Sequence, residues 1–204
     1  ITTPTPPARP ALPKRTASAA ASKAATAARN KANNTDWTKN LSGDQRDAYL
    51  ALSNLFKGYG LGTLAPKIYD YIKQGYGADV IGLLLQETAE YKQRFSANES
   101  RKKAGLAVLT PQEYLAAEAS YRQILESAGM PKGFYDSPSD FAGWIGGDVS
   151  PNEIKGRVDL AMDAVNRTDP NYRGALFQMY GVGESELAAY FLDRKTAEPI
   201  LKKQ

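Results

Sequence analysis

Three short segments constrain this chain more than any other feature: Thr110-Pro111-Gln112-Glu113, Ser137-Pro138-Ser139-Asp140 and Ser150-Pro151-Asn152-Glu153. Each pairs a hydroxyl side chain, able to accept from an amide three residues on, with a carboxylate that can reach back to the cap. Proline sits between them at the first helical position, where its missing N–H is not needed. Apolar residues at helical spacing follow every one of these starts. Tyr114, Glu118, Tyr121, Leu125 and Ala128 lie along one face up to Gly129. Phe141, Trp144 and Ile145 follow the second start, and Ile154, Val158, Met162 and Val165 the third.

The same reading extends to the rest of residues 41–204. Ser42 and Asp44 open a helix through Tyr49, Leu52, Leu55 and Phe56 that Gly58 and Gly60 stop. Thr63 and Pro66 open another through Leu64, Ile68, Tyr71 and Ile72, closed by Gly75 and Gly77. A third is expected to run unbroken from Asp79 through Ile81, Leu84, Leu85, Thr88 and Tyr91 towards Phe95. Short helices fit residues 171–180 and 184–193, and a last one begins near Thr196. No run alternates Val, Ile and aromatics between turn signals, so no sheet is predicted. The expected fold is all-α, an irregular orthogonal bundle of about seven to nine short helices.

Residues 1–40 read differently. Pro4, Pro6, Pro7, Pro10 and Pro13 forbid a helix in the opening stretch and favour an extended, polyproline-like strap. Ala, Ser, Thr, Lys and Arg then dominate residues 17–32, with good helix propensity but no apolar stripe to bury. Arg9, Lys14, Arg15, Lys23, Arg29 and Lys31 all precede the first acid, Asp36. Taking these six from the 26 basic residues leaves 20 against 22 acids, so the net charge of +4 belongs to this segment. The pattern predicts a flexible, disordered, basic Pro/Ala-rich arm. Its six cations are the candidate contacts to a polyanion such as DNA or to a groove on a neighbouring subunit, and the alternative is a solvated linker.

Composition removes much chemistry. The chain has no cysteine, hence no disulfide, thiolate metal site or thiol nucleophile, and no histidine, hence no His-based triad or imidazole ligand. No stretch approaches the ~18 apolar residues of a membrane span. The first residue is Ile1 and no signal-peptide pattern follows it, which suggests a processed chain or part of a longer one.

Four constellations bear on function. Gly58, Gly60 and Gly62 invite a phosphate-loop reading, but the fingerprint lacks its strand and its Lys-Ser/Thr, which favours a helix end and tight turn. Glu87 with Glu90, or Asp136 with Asp140, could in principle serve a carboxylate-dependent cell-wall hydrolase, although pairs at this spacing are expected by chance on a helical chain with 22 acids. Glu90-Tyr91-Lys92-Gln93-Arg94-Phe95 interleaves basic and aromatic residues that single-stranded nucleic acid could use for charge and stacking, but the helix period favours burying Tyr91 and Phe95 together with Lys92 and Arg94 outward. Phe134, Tyr135 and Trp144, beside Pro131 and Gly133, form either a packed hinge or an interface contact for a partner. No catalytic, cofactor-binding or metal-ligating residue is assigned, and no small-molecule substrate is expected.

Gly75-Tyr76-Gly77-Ala78-Asp79 and the run from Leu83 to Phe95 resemble a block found in virion structural proteins of tailed bacteriophages. So do Leu109-Thr110-Pro111-Gln112-Glu113-Tyr114, the segment from Gly129 to Asp136, and Asp140-Phe141-Ala142-Gly143-Trp144-Ile145. The likeness spans about residues 43–203. It implies a non-enzymatic component of the particle, made in the host cytoplasm and placed at the portal, neck, tail or internal core, touching other virion proteins and further copies of itself. In similar proteins an Ala-rich helical region follows, whereas this chain stops at Lys202-Lys203-Gln204. A DNA-binding protein acting through the arm is the alternative, and the hydrolase a third reading.

Overall fold

The computed structural model describes residues 37–203, and the fold is all-helical, with no strand among the described residues. The chain divides into two units, Ile1–Arg46 and Asp47–Gln204. In the first, a 3₁₀ turn at Trp37–Asn40 leads to Ser42, whose amide donates to Gln45 Oε1 at 3.1 Å, closing the reach-back half of a capping box. Arg46 Nε returns to the Thr38 carbonyl at 3.1 Å.

Eleven α-helices follow one another among the described residues: α1 Gly43–Gly58, α2 Ala65–Lys73, α3 Ala78–Gln86, α4 Ala89–Arg94, α5 Ala97–Lys103, α6 Pro111–Ser127, α7 Ala142–Gly146, α8 Pro151–Arg167, α9 Pro170–Tyr180, α10 Glu184–Leu192 and α11 Arg194–Leu201. That exceeds the seven to nine expected from the sequence, because the helix read from Asp79 to Phe95 is broken. Thr88 does not sit mid-helix. Its hydroxyl donates to the Leu85 carbonyl at 2.6 Å and accepts from the Tyr91 amide at 3.3 Å, so it ends α3 and caps α4 at once. A further helix, α5, has no apolar stripe that would announce it.

The helix starts read from sequence form as local chemistry dictates. Thr110 and Glu113 exchange both bonds of the box, Glu113 N to Thr110 Oγ1 at 3.3 Å and Thr110 N to Glu113 Oε2 at 2.8 Å. The amide and hydroxyl of Thr110 hold the Glu113 carboxyl below its ordinary pKa. Ser150 caps α8 through the Glu153 amide. At Ser137 only the reach-back from Asp140 forms, at 2.8 Å; the hydroxyl turns to Ser139, and the segment Pro138–Phe141 is 3₁₀ before α7 begins. Thr63, expected to cap α2, lies instead in a 3₁₀ turn, Gly62–Leu64.

The ends are as regular. At Gly60, φ +79°, the Leu61 amide reaches the Phe56 carbonyl and the Gly60 amide reaches that of Lys57, a Schellman closure, and both Leu61 and Phe56 are buried. Asp148 occupies the equivalent position after α7 at φ +56°, with Val149 N on Trp144 O and Asp148 N on Ile145 O. A non-glycine residue there is strained, and Asp148 is tied down by its side chain on Arg101 at 2.6 Å.

Within the second unit α10 packs on α8 and α11, α6 on α8, α5 on α7, and α2 on α3. Ile68, Ile81, Leu85, Tyr114, Phe141, Ile154 and Val165 are fully buried, each contributing on the order of 1.5–3 kcal/mol of transfer free energy. Where α5 meets α7 the approach is so close that a Cβ on Gly146 would meet Ser100 Cβ at 3.0 Å.

Two arginines hold this core by polar contacts. Arg94 was expected to face solvent; instead its fork pairs with both oxygens of Glu118 at 2.7 Å each, while Nε donates to the Tyr59 carbonyl at 2.8 Å. Its charge also lies over the rings of Phe95 and Tyr114. Glu118 stands on the apolar face of α6 between Tyr114 and Tyr121 and needs that partner. Arg101 joins the carbonyls of Ala107 and Ile145 to Asp148.

Candidate functional site

The feature of the second unit that its own packing does not absorb is α9. Asp169 caps it, accepting from the Asn171 and Tyr172 amides at 2.7 and 3.3 Å; Pro170 takes the first turn, and Gly181, φ +65°, ends it by returning its amide to the Phe177 carbonyl. The ends are therefore set locally. No α9 residue is buried among the described residues, and α9 takes part in none of the helix pairings above. Arg173 and Leu176 are its half-buried residues, and Arg173 donates to the Val165 carbonyl at 3.2 Å and pairs with Glu184 at 3.0 Å.

Apart from half-buried Leu176, the large apolar side chains of α9 are exposed. Tyr172 is 59% exposed, Phe177 64%, Met179 69% and Tyr180 57%. A solvated helix normally turns charges outward and apolar residues inward; residues 170–182 carry a single charge, Arg173. Between α9 and the start of α10 runs an open groove of about 500 Å³, walled by Pro170, Gly174, Phe177, Val182 and Leu187, with the Arg173–Glu184 pair at its edge. Such a surface can bury apolar area against another macromolecule. Glu184 and Ser185 also line it, and Ser185 Oγ donates to Glu186 Oε2 at 3.0 Å.

The residues singled out from sequence fall elsewhere. Arg9, Lys14, Arg15, Lys23, Arg29 and Lys31 lie outside the described residues. Phe134 and Tyr135 are buried and Trp144 is half-buried, so the three offer a partner little surface. They build an internal aromatic cluster: Tyr135 stacks on Trp144 with centroids 4.1 Å apart and planes at 15°, and Phe141 and Tyr121 close round them. Tyr135 OH donates to Asp193 Oδ2 at 2.8 Å, joining this loop to the α10–α11 junction. Burial first, then the Asp193 carboxylate, pushes the Tyr135 phenol far above its ordinary range. For Asp193 burial acts to raise the pKa, but hydrogen bonds from Thr196, Tyr135 and the amides of Thr196 and Lys195 together hold it below the usual value.

The carboxylate pairs do not converge on a cleft. Glu87 is exposed and paired with Lys92 at 2.7 Å, which holds its carboxyl below the ordinary value, while Glu90 faces solvent. Asp136 accepts from the Gly133 amide at 2.6 Å and Asp140 from that of Ser137, so both serve backbone turns. Among the described residues no group of three or more acidic side chains is placed to hold a metal ion, and no helix is long and apolar enough to cross a membrane. Gly58, Gly60 and Gly62 surround a helix end and the 3₁₀ turn after it.

Sequence reasoning placed α9 correctly and missed what it presents. The available signal was its composition: six large apolar residues and one charge in residues 170–182 are more than one inward stripe can cover. Comparison with protein-family models, with curated proteins and with solved structures finds no match.

Proposed function

We propose that this chain is a structural component of a tailed-phage particle, a non-enzymatic module that mediates subunit contacts at the portal, neck, tail or internal core. The observation that carries the interaction reading is the set of exposed apolar side chains on α9, with Phe177 at the groove beside it. The assignment to a phage particle rests on the sequence resemblance of residues 43–203. An irregular orthogonal arrangement of the short capped helices belongs to the same reading, since it presents many differently directed faces to neighbours. The expected partners are other virion proteins and further copies of the chain.

Mass spectrometry and electron microscopy of purified particles from a phage encoding this chain test the assignment. The chain is expected at fixed stoichiometry and at a defined position. Its absence from infectious particles would overturn the proposal.

The six cations before Asp36 favour one second reading, a DNA contact made by the arm. Affinity for duplex DNA should then fall steeply with salt and vanish when residues 1–34 are deleted; binding that survives the deletion removes this reading.

A further inference from the structure

We infer that the groove between α9 and α10 is the seat of the proline-rich segment, residues 4–13, of a neighbouring copy of this chain. The inference rests on reading α9 as a contact surface and names its occupant. Pro4, Pro7, Pro10 and Pro13 recur at every third position. A polyproline II helix turns once in three residues, so in that conformation the four rings line up as one apolar ridge, with Leu12 on the ridge beside it.

The groove suits such a ridge. Its volume is about 500 Å³, and Pro170, Phe177, Val182 and Leu187 give it apolar walls. At Gly174 an added Cβ would meet no atom within 4 Å, so the groove stands open along α9 itself. Proline has no N–H, and a proline ridge therefore enters apolar surroundings without stranding backbone donors at those positions, as most other extended segments would. Period-three proline segments are received by grooves of this kind, lined with aromatic and apolar side chains, because their conformation is set before binding.

Charge favours the same occupant. Asp169 immediately precedes Pro170, and Glu184 keeps 63% of its side chain exposed while its partner Arg173 keeps 20%, so the groove is flanked by more negative than positive charge. The segment and its flank bring Arg9, Lys14 and Arg15, and no acid precedes Asp36. A nucleic acid or an acidic protein meets repulsion at the same place.

The reach is sufficient. Residues 14–36 lie between the segment and Trp37, where the described residues begin. Drawn out at ~3.3 Å per residue they span up to ~75 Å, several times the ~15 Å radius of gyration of a body the size of the second unit. Ridge and groove are different surfaces, so the contact is heterologous and builds a ring or an open row of copies.

The absence of cysteine makes the contact testable in the full chain. Two single variants, Leu12→Cys and Ser185→Cys, the second at the groove lining, are mixed and mildly oxidised. The mixed disulfide should exceed either symmetric one, and Leu12→Cys mixed with Glu126→Cys, on the exposed side of α6, should give none. Adding Pro7→Ala, Pro10→Ala and Pro13→Ala to the Leu12→Cys chain keeps every charge, removes the ridge and should abolish the product. Adding Gly174→Leu to the Ser185→Cys chain fills the groove where there is room for a side chain; helicity by circular dichroism should be unchanged and the product lost.

No mixed disulfide, equal capture at Ser185 and Glu126, or a product that survives the proline or the Gly174→Leu substitutions overturns the docking. A chain carrying both cysteines that closes only on itself overturns the neighbouring copy as the source of the segment. The contact reading is judged separately, by incorporation of the double variant Phe177→Glu, Met179→Glu into particles. Without a mixed disulfide, incorporation lost in that variant gives α9 a different occupant, and incorporation unaffected removes both readings.

Discussion

Glu118 and Arg94 form the pair on which the interior of the second unit most depends, and breaking it from each side separates charge burial from packing. The side chain of Glu118 is 4% exposed and that of Arg94 13%, with both carboxylate oxygens held at 2.7 Å. Glu118→Leu leaves the guanidinium without its counter-charge, although Nε keeps the Tyr59 carbonyl. Removing one partner of a buried pair costs ~3–5 kcal/mol; the water still reaching Arg94 puts this variant near ~3. Arg94→Met strands the better buried carboxylate and also orphans the Tyr59 carbonyl, so it belongs near the upper end, about 5 kcal/mol.

The double variant carries no buried charge. What remains lost is the bond to Tyr59 O, ~1–3 kcal/mol, partly offset by apolar volume from Met and Leu. It should therefore be more stable than Arg94→Met and no worse than Glu118→Leu, which from single losses of ~3 and ~5 kcal/mol implies an interaction energy of at least ~5 kcal/mol across the cycle. Urea unfolding followed by circular dichroism measures all four proteins, and at about 2–4 °C per kcal/mol the single variants should melt roughly 6–20 °C early. If the two single losses add to the double within ~0.5 kcal/mol, the pair is not coupled and the account of this core is wrong.

Two further predictions concern strain and pH. At Asp148, φ +56° and 58% exposed at the side chain, Asp148→Gly relieves the left-handed backbone while losing the contact to Arg101 and should stay within about 0.5 kcal/mol of the parent, whereas Asp148→Ala keeps the strain and loses the contact, costing ~1–2 kcal/mol; equal denaturation midpoints for Gly and Ala would contradict this. Burial raises the phenol pKa of Tyr91, Tyr114, Tyr121 and Tyr135 above the ordinary 10.0, so above that pH the unfolded chain has lost protons the folded one retains, and stability present below pH 10.0 should be lost as pH climbs through the folded values. Urea midpoints measured against pH should hold level in the neutral range and then fall, less steeply for Tyr135→Phe; a midpoint still level about one unit above pH 10.0 would show the phenols ionising alike in both states.

Legibility in this chain follows the range of the interaction. The start of α6 and its buried face of Tyr114, Glu118, Tyr121 and Leu125 are readable from residues within a few positions of one another. Along α8 the periodicity names Ile154, Val158 and Val165 correctly, while Ala161 rather than the larger Met162 fills the remaining buried place. Thr88 misleads because its neighbours read as one continuous helical pattern, and only the paired use of its hydroxyl reveals the break. Arg94 misleads for a different reason. Its inward turn is decided by Glu118, 24 residues on, and by a carbonyl 35 residues back, which no window on one helix contains. A glutamate on an otherwise apolar stripe was the trace of that partner.

The same distinction explains why the exposure of α9 was the least legible part. Asp169, Pro170 and Gly181 specify where α9 begins and ends, but which of its faces meets something is decided by what lies beside it. Composition still leaves a signature when two helices are set side by side. In α8, Glu153, Lys155, Arg157, Asp159, Asp163 and Arg167 spread charge over the sides its apolar stripe does not occupy, and Leu160 is its one large apolar residue left exposed. In α9 only Arg173 is charged, and that charge is spent within the unit on Glu184. Water is thus a poor environment for one helix and an adequate one for the other, though they are adjacent in the chain and separated by two residues. A full complement of charges on α8 and almost none on α9 leaves at α9 apolar area that the core of the unit does not cover.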